Sequence, residues 1–226
     1  LLDQSKAPYG FYTWLMDDQA RLDFRPQRYT RTIEEVVNLS AHHYLANVKL
    51  PFNPHYDELT IHHIRILRGE EIIEVDVQSR YFVMRRERSF ERLVLDGRWT
   101  LAITLPDVRV GDIIDTALTL EGDPACFQGE FSVPVMLQNY VYWERRHARL
   151  LVPPERHIYL KPFPLGWVEP TLATLADGYS EITFEDDHIR ECDSEANVPG
   201  WILPMRGAFA SSTQGWVRVN DVMRAG

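Results

Sequence analysis

Cysteine is scarce in this chain of 226 residues: Cys126 and Cys192 are the only two. Two thiols cannot build a disulfide framework, and sequence alone leaves open whether they bridge. Neither sits at a helix start or beside a histidine, the settings that stabilise a nucleophilic thiolate. Long apolar runs are missing too, so nothing approaches the roughly 20 residues of a membrane-spanning helix. HExxH, CxxC and G-x-S-x-G spacings are all absent, and Gly111 and Gly122 stand alone rather than in a phosphate-cradling loop. Positive charge is in deficit, with 24 basic against 33 acidic residues and a net charge of −9. A general nucleic-acid binder needs a basic footprint to neutralise phosphates, so that class is excluded as an expectation. The basic residues are 21 Arg and 3 Lys.

What is present reads as a β-rich globular domain. Hydrophobic residues make up 45% and charged residues 25%, unlike a disordered chain. The length allows one large all-β domain or two small ones. One domain over residues 1–226 is expected, with 153–170 as the seam if there is one. The stretch Leu105 to Gly122 organises the rest. Before it, Trp99, Leu101, Ile103 and Leu105 alternate with Arg98, Thr100, Ala102 and Thr104. After it, Ile114, Thr116, Leu118 and Leu120 alternate with Asp115, Ala117, Thr119 and Glu121. Pro106, Gly111 and Asp112 mark the turn between them, and Asp96-Gly97 is a two-residue hairpin signal, so an antiparallel meander is expected.

Elsewhere Tyr29 to Val37 reads as an edge-like strand, because Arg31 and Glu35 break its apolar face. Leu59 to Leu67 changes phase at His62-His63, which a bulge would correct. Asn38 and Ser40 can cap a short helix. Val135 to Leu151 reads as one long strand, and Asp177-Gly178 and Asp186-Asp187 as turns. At the C-terminus, Ser211 to Thr213 can cap a helix carrying Trp216, Val219 and Met223 on one stripe.

Candidate chemistry is thin. His42-His43 and His62-His63 are adjacent pairs, which a regular strand points to opposite faces. His55, His62 and His63 could converge across a turn. Asp107, Asp112 and Asp115 cluster near one turn, where aspartates hydrogen-bond nearby amides. Arg145, Arg146, His147 and Arg149 cluster, as do Arg85, Arg86, Arg88 and Arg92, and both groups read as solvated strand faces. Tyr140, Tyr142 and Trp143 could form a ligand platform or pack in the core. No catalytic, cofactor-binding or metal-ligating residue is assigned, and no cofactor is expected.

Several stretches together resemble a family. Leu105 to Asp115 resembles the hallmark of a bacterial domain of unknown function found immediately N-terminal to transglutaminase-like cysteine protease cores. Pro54 to Arg68 is similar to its earlier strand, and Glu91 with Asp96 to Thr100 to its central hairpin. Pro134 with Tyr142-Trp143 fits the strand after the hallmark. Pro199-Gly200-Trp201, Ser211-Ser212, Trp216-Val217 and Val219 resemble its closing segment. The resemblance implies a large twisted antiparallel β-sandwich or saddle. It further implies a transglutaminase-like core, with its Cys, His and Asp, downstream of Gly226 as this domain's partner. The expected role is a non-catalytic accessory domain of a bacterial protein, packing on that core or presenting substrate to it. The alternative is a module binding carbohydrate or peptide. A periplasmic or other extracytoplasmic setting is favoured over the cytoplasm.

Overall fold

The computed structural model describes residues 6–85, 97–122, 130–192 and 204–213. The expected C-terminal helix with Trp216, Val219 and Met223 lies outside the described residues. So do Cys126, Asp96 and the strand expected before it, most of the Arg85 to Arg92 cluster, and Pro199-Gly200-Trp201.

The strands are β1 (Phe11–Arg21), β2 (Gln27–Val36), β3 (Asn47–Phe52), β4 (Asp57–Arg68), β5 (Glu71–Glu74), β6 (Tyr81–Arg85) and β7 (Trp99–Thr104). They continue with β8 (Ile113–Gly122), β9 (Ser132–Met136), β10 (Trp143–Val152), β11 (Tyr159–Pro162), β12 (Thr171–Thr174), β13 (Ser180–Ile189) and β14 (Gly207–Ser211). One short helix, α1 (His42–Leu45), follows a single 3₁₀ turn that the Asn38 side chain caps through Ser40 N at 2.9 Å. The fold is all-β, as expected. Eight strands form one sheet in the order β12-β13-β10-β1-β2-β8-β4-β5, and two three-stranded sheets run β3-β7-β6 and β11-β14-β9. Among the described residues every strand pair is antiparallel except β1 with β10, where Thr13 faces Trp143 and Ala20 faces Leu150.

Period-two alternation decides which side of the large sheet is buried. Ile114, Leu118 and Leu120 of β8 share a face with Ile64, Ile66, Ile61 and Leu59 of β4. The register slips between Ile61 and His63, and that bulge returns all four β4 residues to one side, as the phase change in the sequence requires. They pack with Leu50 of β3 and Ile103 of β7 in one core cluster. On the same face, further along, Ala148 and Leu150 of β10 and Ile182 and Phe184 of β13 pack with Val135 of β9 and Ala210 of β14. Each small sheet therefore covers one half of the same face. Full burial of Ile64, Ile66 or Phe184 contributes about 1.5–3 kcal/mol apiece.

Four expectations are corrected. The segment Leu105 to Asp112 does not close a meander, because β7 belongs to a three-stranded sheet and β8 to the eight-stranded one. It is a crossover between sheets, bent through Asp107 (φ 45°) and Gly111 (φ 90°) and tied by Gly111 N–H to Val36 O at 2.8 Å. β2 is no edge: it lies between β1 and β8, and its Arg28 and Arg31 are matched by Asp18 and Asp115 on those neighbours. Asp186-Asp187 does not turn the chain, since both lie within β13 opposite Arg146 and Arg145. The stretch from Val135 to Leu151 is two strands, β9 and β10, in different sheets. The Asp177-Gly178 hairpin stands, with Gly178 at φ 86° and β12 paired to β13.

Candidate functional site

Between the two apolar clusters the buried-side face of the large sheet turns polar. Cross-strand register places Thr13, Met16 and Asp18 of β1 beside Glu34, Thr32 and Thr30 of β2, and these beside Ile114, Thr116 and Leu118 of β8. Among the described residues, two cavities open along this strip. The smaller, about 140 Å³, is lined by Asp18, Arg28 and Arg146 below and by Val133, Pro134 and Val135 of β9 above. The larger, about 430 Å³, has Thr30, Thr32, Glu34, Thr116 and Leu118 as its floor and α1 with β3 as its cover.

At the first cavity the organising group is Arg146, only 1% exposed. Its Nε donates to Met136 O at 2.8 Å, Nη1 to Met16 O at 3.0 Å and to His147 O, and Nη2 to Asp18 Oδ2 at 3.2 Å. One guanidinium thus ties β10 to β1 and to the end of β9, a task its planar fork suits. Asp18 also accepts from Thr30 Oγ1 at 2.7 Å and pairs with Arg28 at 3.2 Å. Burial alone would raise the Asp18 pKa, but Arg28 and Arg146 overcome it and hold the carboxyl below its usual range. Burial pushes the Arg146 pKa down, against the pull of Asp18.

Glu34, at the second cavity, is the opposite case. Its carboxyl has no hydrogen bond and no ion pair, and burial pushes its pKa up to about 7. It is crowded by surrounding atoms but keeps part of its surface on the cavity. Directly across the β1–β2 register, Thr13 Oγ1 is buried and likewise without a partner.

The other face of the sheet carries ion pairs. Asp115 is clamped by Arg31 through both oxygens at 2.9 Å and by Arg65 at 3.0 Å. His63 Nε2 stands 3.1 Å from it, poorly aligned for a hydrogen bond. Burial would raise the Asp115 pKa, yet these partners bring it down to about 2. Asp17 pairs with His147 at 2.7 Å and Arg149 with Glu181 at 2.5 Å. Higher on the sheet, Glu144 accepts from Tyr12 and Tyr142 and lies 2.8 Å from His188. Burial and the Glu144 carboxylate raise the Tyr12 phenol well above the ordinary tyrosine value.

The residues singled out from sequence fall into place unevenly. Asp112 does serve the turn, accepting from Arg109 N at 2.8 Å, but it also takes both arms of Arg68. Asp107 stays exposed and pairs with Arg109, whereas Asp115 belongs to the sheet face, not to the turn. His62 bonds Thr119 at 2.8 Å and His63 faces Asp115, so the pair diverges. Among the described residues no group of three His, Cys, Asp or Glu side chains is placed to hold a metal ion. Cys192 is buried against Phe163 and Met205. Tyr142 and Trp143 are each 3% exposed and pack inside, while Tyr140 is 40% exposed. The arginine cluster divides: Arg146 is interior and Arg149 pairs with Glu181, while Arg145 stays on the solvated side in a loose pair with Asp187. Arg146 was findable, because it falls in phase with Ala148, Leu150 and Val152. Glu34 gave no such signal, since Thr30, Thr32 and Glu34 read as an ordinary solvated face.

A large sheet covered on one face by two small ones, with a polar strip and cavities between them, defines an all-β domain with a candidate binding surface. The chain belongs to the family described as a domain of unknown function with solved structure, DUF3857, whose profile matches residues 23–191. No curated protein matches the sequence. Among solved structures, a provisionally assigned protease from Parabacteroides distasonis shares this fold with a TM-score of 0.76 at 13% identity. The similarity covers 90% of this chain and 40% of that one, so this chain spans well under half of the structure it matches. No helix among the described residues is long and apolar enough to cross a membrane.

Proposed function

We propose that this chain is a non-catalytic accessory domain of a larger transglutaminase-like cysteine protease or acyltransferase, packing on the adjoining core or presenting substrate to it. One observation carries the reading: nine-tenths of this chain corresponds to 40% of a longer polypeptide provisionally assigned as a protease. The resemblance of Leu105 to Asp115 to that family hallmark supports it, because the resemblance implies a neighbouring transglutaminase-like core. Strand β6, at the edge of its sheet among the described residues, adds support. Its Tyr81, Phe82, Val83 and Met84 are between 39% and 53% exposed, an apolar row suited to a neighbouring surface. The test is an assay of the isolated chain for peptide hydrolysis and acyl transfer. No turnover is expected. Turnover abolished by Cys126→Ala or Cys192→Ala would overturn the reading.

A second reading, a peptide- or carbohydrate-binding module, is favoured by the 430 Å³ cavity and its unpaired carboxyl. It does not use the Tyr142-Trp143 platform, whose rings are buried.

A further inference from the structure

We propose that the cavity bounded by β2, β8, α1 and β3 is a binding site for a small primary ammonium compound with an aliphatic body, with Glu34 as its counter-charge. This holds whether or not the domain serves a protease core.

Several features of the site converge on that chemistry. The cavity's volume, about 430 Å³, falls within the range of small-molecule sites, roughly 300–1,000 Å³. Its apolar lining, including Leu45, Leu50 and Leu118, suits an alkyl chain. Its one acid is Glu34, which makes no bond to any protein group. A shielded carboxylate without a partner is costly, and a cation delivered into the cavity removes that cost. The hydroxyls of Thr30, Thr32 and Thr116 line the same space and can accept the remaining ammonium protons. Thr13 Oγ1, buried and unpartnered opposite Glu34, is a second polar group that the fold itself leaves unsatisfied beside the site.

The alternatives fit less well. An anionic ligand would meet Glu34 unscreened. A calcium ion takes about six to eight oxygens, carboxylates prominent among them, and this cavity has one carboxylate. The charged groups around it are few. α1 contributes His43 and β3 contributes Lys49, both exposed, whereas β8 presents Ile114, Thr116 and Leu118, and on β1 the register partner of Glu34 is the uncharged Thr13. Burial is the only cause of the raised Glu34 pKa, so neither His43 nor Lys49 acts as its partner.

The experiment titrates the whole chain with hexylammonium, 1-hexanol and hexanoate by calorimetry, at pH 8 and pH 6. Hexylammonium is expected to bind saturably at pH 8 and about tenfold more weakly at pH 6, as Glu34 takes up its proton across about 7. Glu34→Gln should weaken it at least tenfold and abolish the pH dependence. Loss of the pH dependence in His43→Asn would overturn the proposal. Hexanoate should not bind, and hexanol should bind more weakly than the amine at pH 8. Circular dichroism checks that each variant is folded; a Glu34→Gln that does not fold is replaced by Glu34→Asp, which shortens the reach and is expected to weaken binding. Absence of saturable hexylammonium binding overturns the proposal. So does equal binding by hexanol, or binding that Glu34→Gln leaves unchanged.

Discussion

Arg145→Ala and Arg146→Ala should behave very differently, although the two residues are neighbours. Arg145 is 62% exposed and its Nε stands 3.6 Å from Asp187, a loose surface pair. Removing it should cost less than about 0.5 kcal/mol. Arg146 is 1% exposed and holds Met136 O at 2.8 Å, Met16 O at 3.0 Å and Asp18 at 3.2 Å. Truncation leaves those two carbonyls without their side-chain donor, at about 1–3 kcal/mol for each buried acceptor left unsatisfied. Asp18 keeps Thr30 and Arg28, which softens its loss. With the cavity left behind, the total is about 3–5 kcal/mol, as for removing one partner of a buried pair. Arg146→Lys keeps the charge but not the fork, so about 2 kcal/mol is expected. Urea unfolding followed by tryptophan fluorescence reads all three. Equal midpoints for Arg145→Ala and Arg146→Ala would refute the reasoning, as would an Arg146→Ala cost below about 1 kcal/mol.

Glu34 and Asp115 should respond to pH with opposite signs. The Glu34 pKa is raised to about 7, so its contribution is fully present below the unfolded value of 4.5 and is lost as pH rises through 7. Glu34→Gln should therefore stabilise the domain at pH 8, by up to about 3 kcal/mol, and change little at pH 4, read by thermal unfolding. The Asp115 pKa is lowered to about 2, so its contribution is present above 3.8 and is lost as pH falls through 2. Asp115→Asn should cost about 1–2 kcal/mol at pH 7, allowing for screening at partners that are 22% to 32% exposed, and much less at pH 2 by the same assay. Gly10→Ala should destabilise by about 2 kcal/mol or more in urea. Its φ is 83°, and an added Cβ would stand 2.6 Å from Ala41 N and 2.5 Å from the Asn38 cap.

Much of the strand pattern was legible because side chains alternate with period two. The bulge at His62-His63 is the clearest case, since one extra residue shifts the phase in a way the sequence displays. Sheet membership was harder to read. A connection of the length of Leu105 to Asp112 can close a hairpin or cross between sheets, and only packing against Ile66 and Ile103 decides which. Charges misled for the same reason. Arg31 looked like an edge residue, but it lies on a central strand because Asp115 meets it from β8. Asp186 looked like a turn residue, but it lies mid-strand and pairs with Arg206 at 2.9 Å. The candidate site was the least legible part. Thr30, Thr32 and Glu34 become a cavity floor only when α1 and β3 fold over them.

The accessory role is tested most directly by comparing the polypeptide that carries this domain with its catalytic core alone, on a peptide substrate. The account predicts no turnover by this domain on its own, and a core whose kcat/KM falls, chiefly through KM, when the domain is removed. A core that works equally well without the domain, or turnover by this chain alone that Cys192→Ala abolishes, would contradict it.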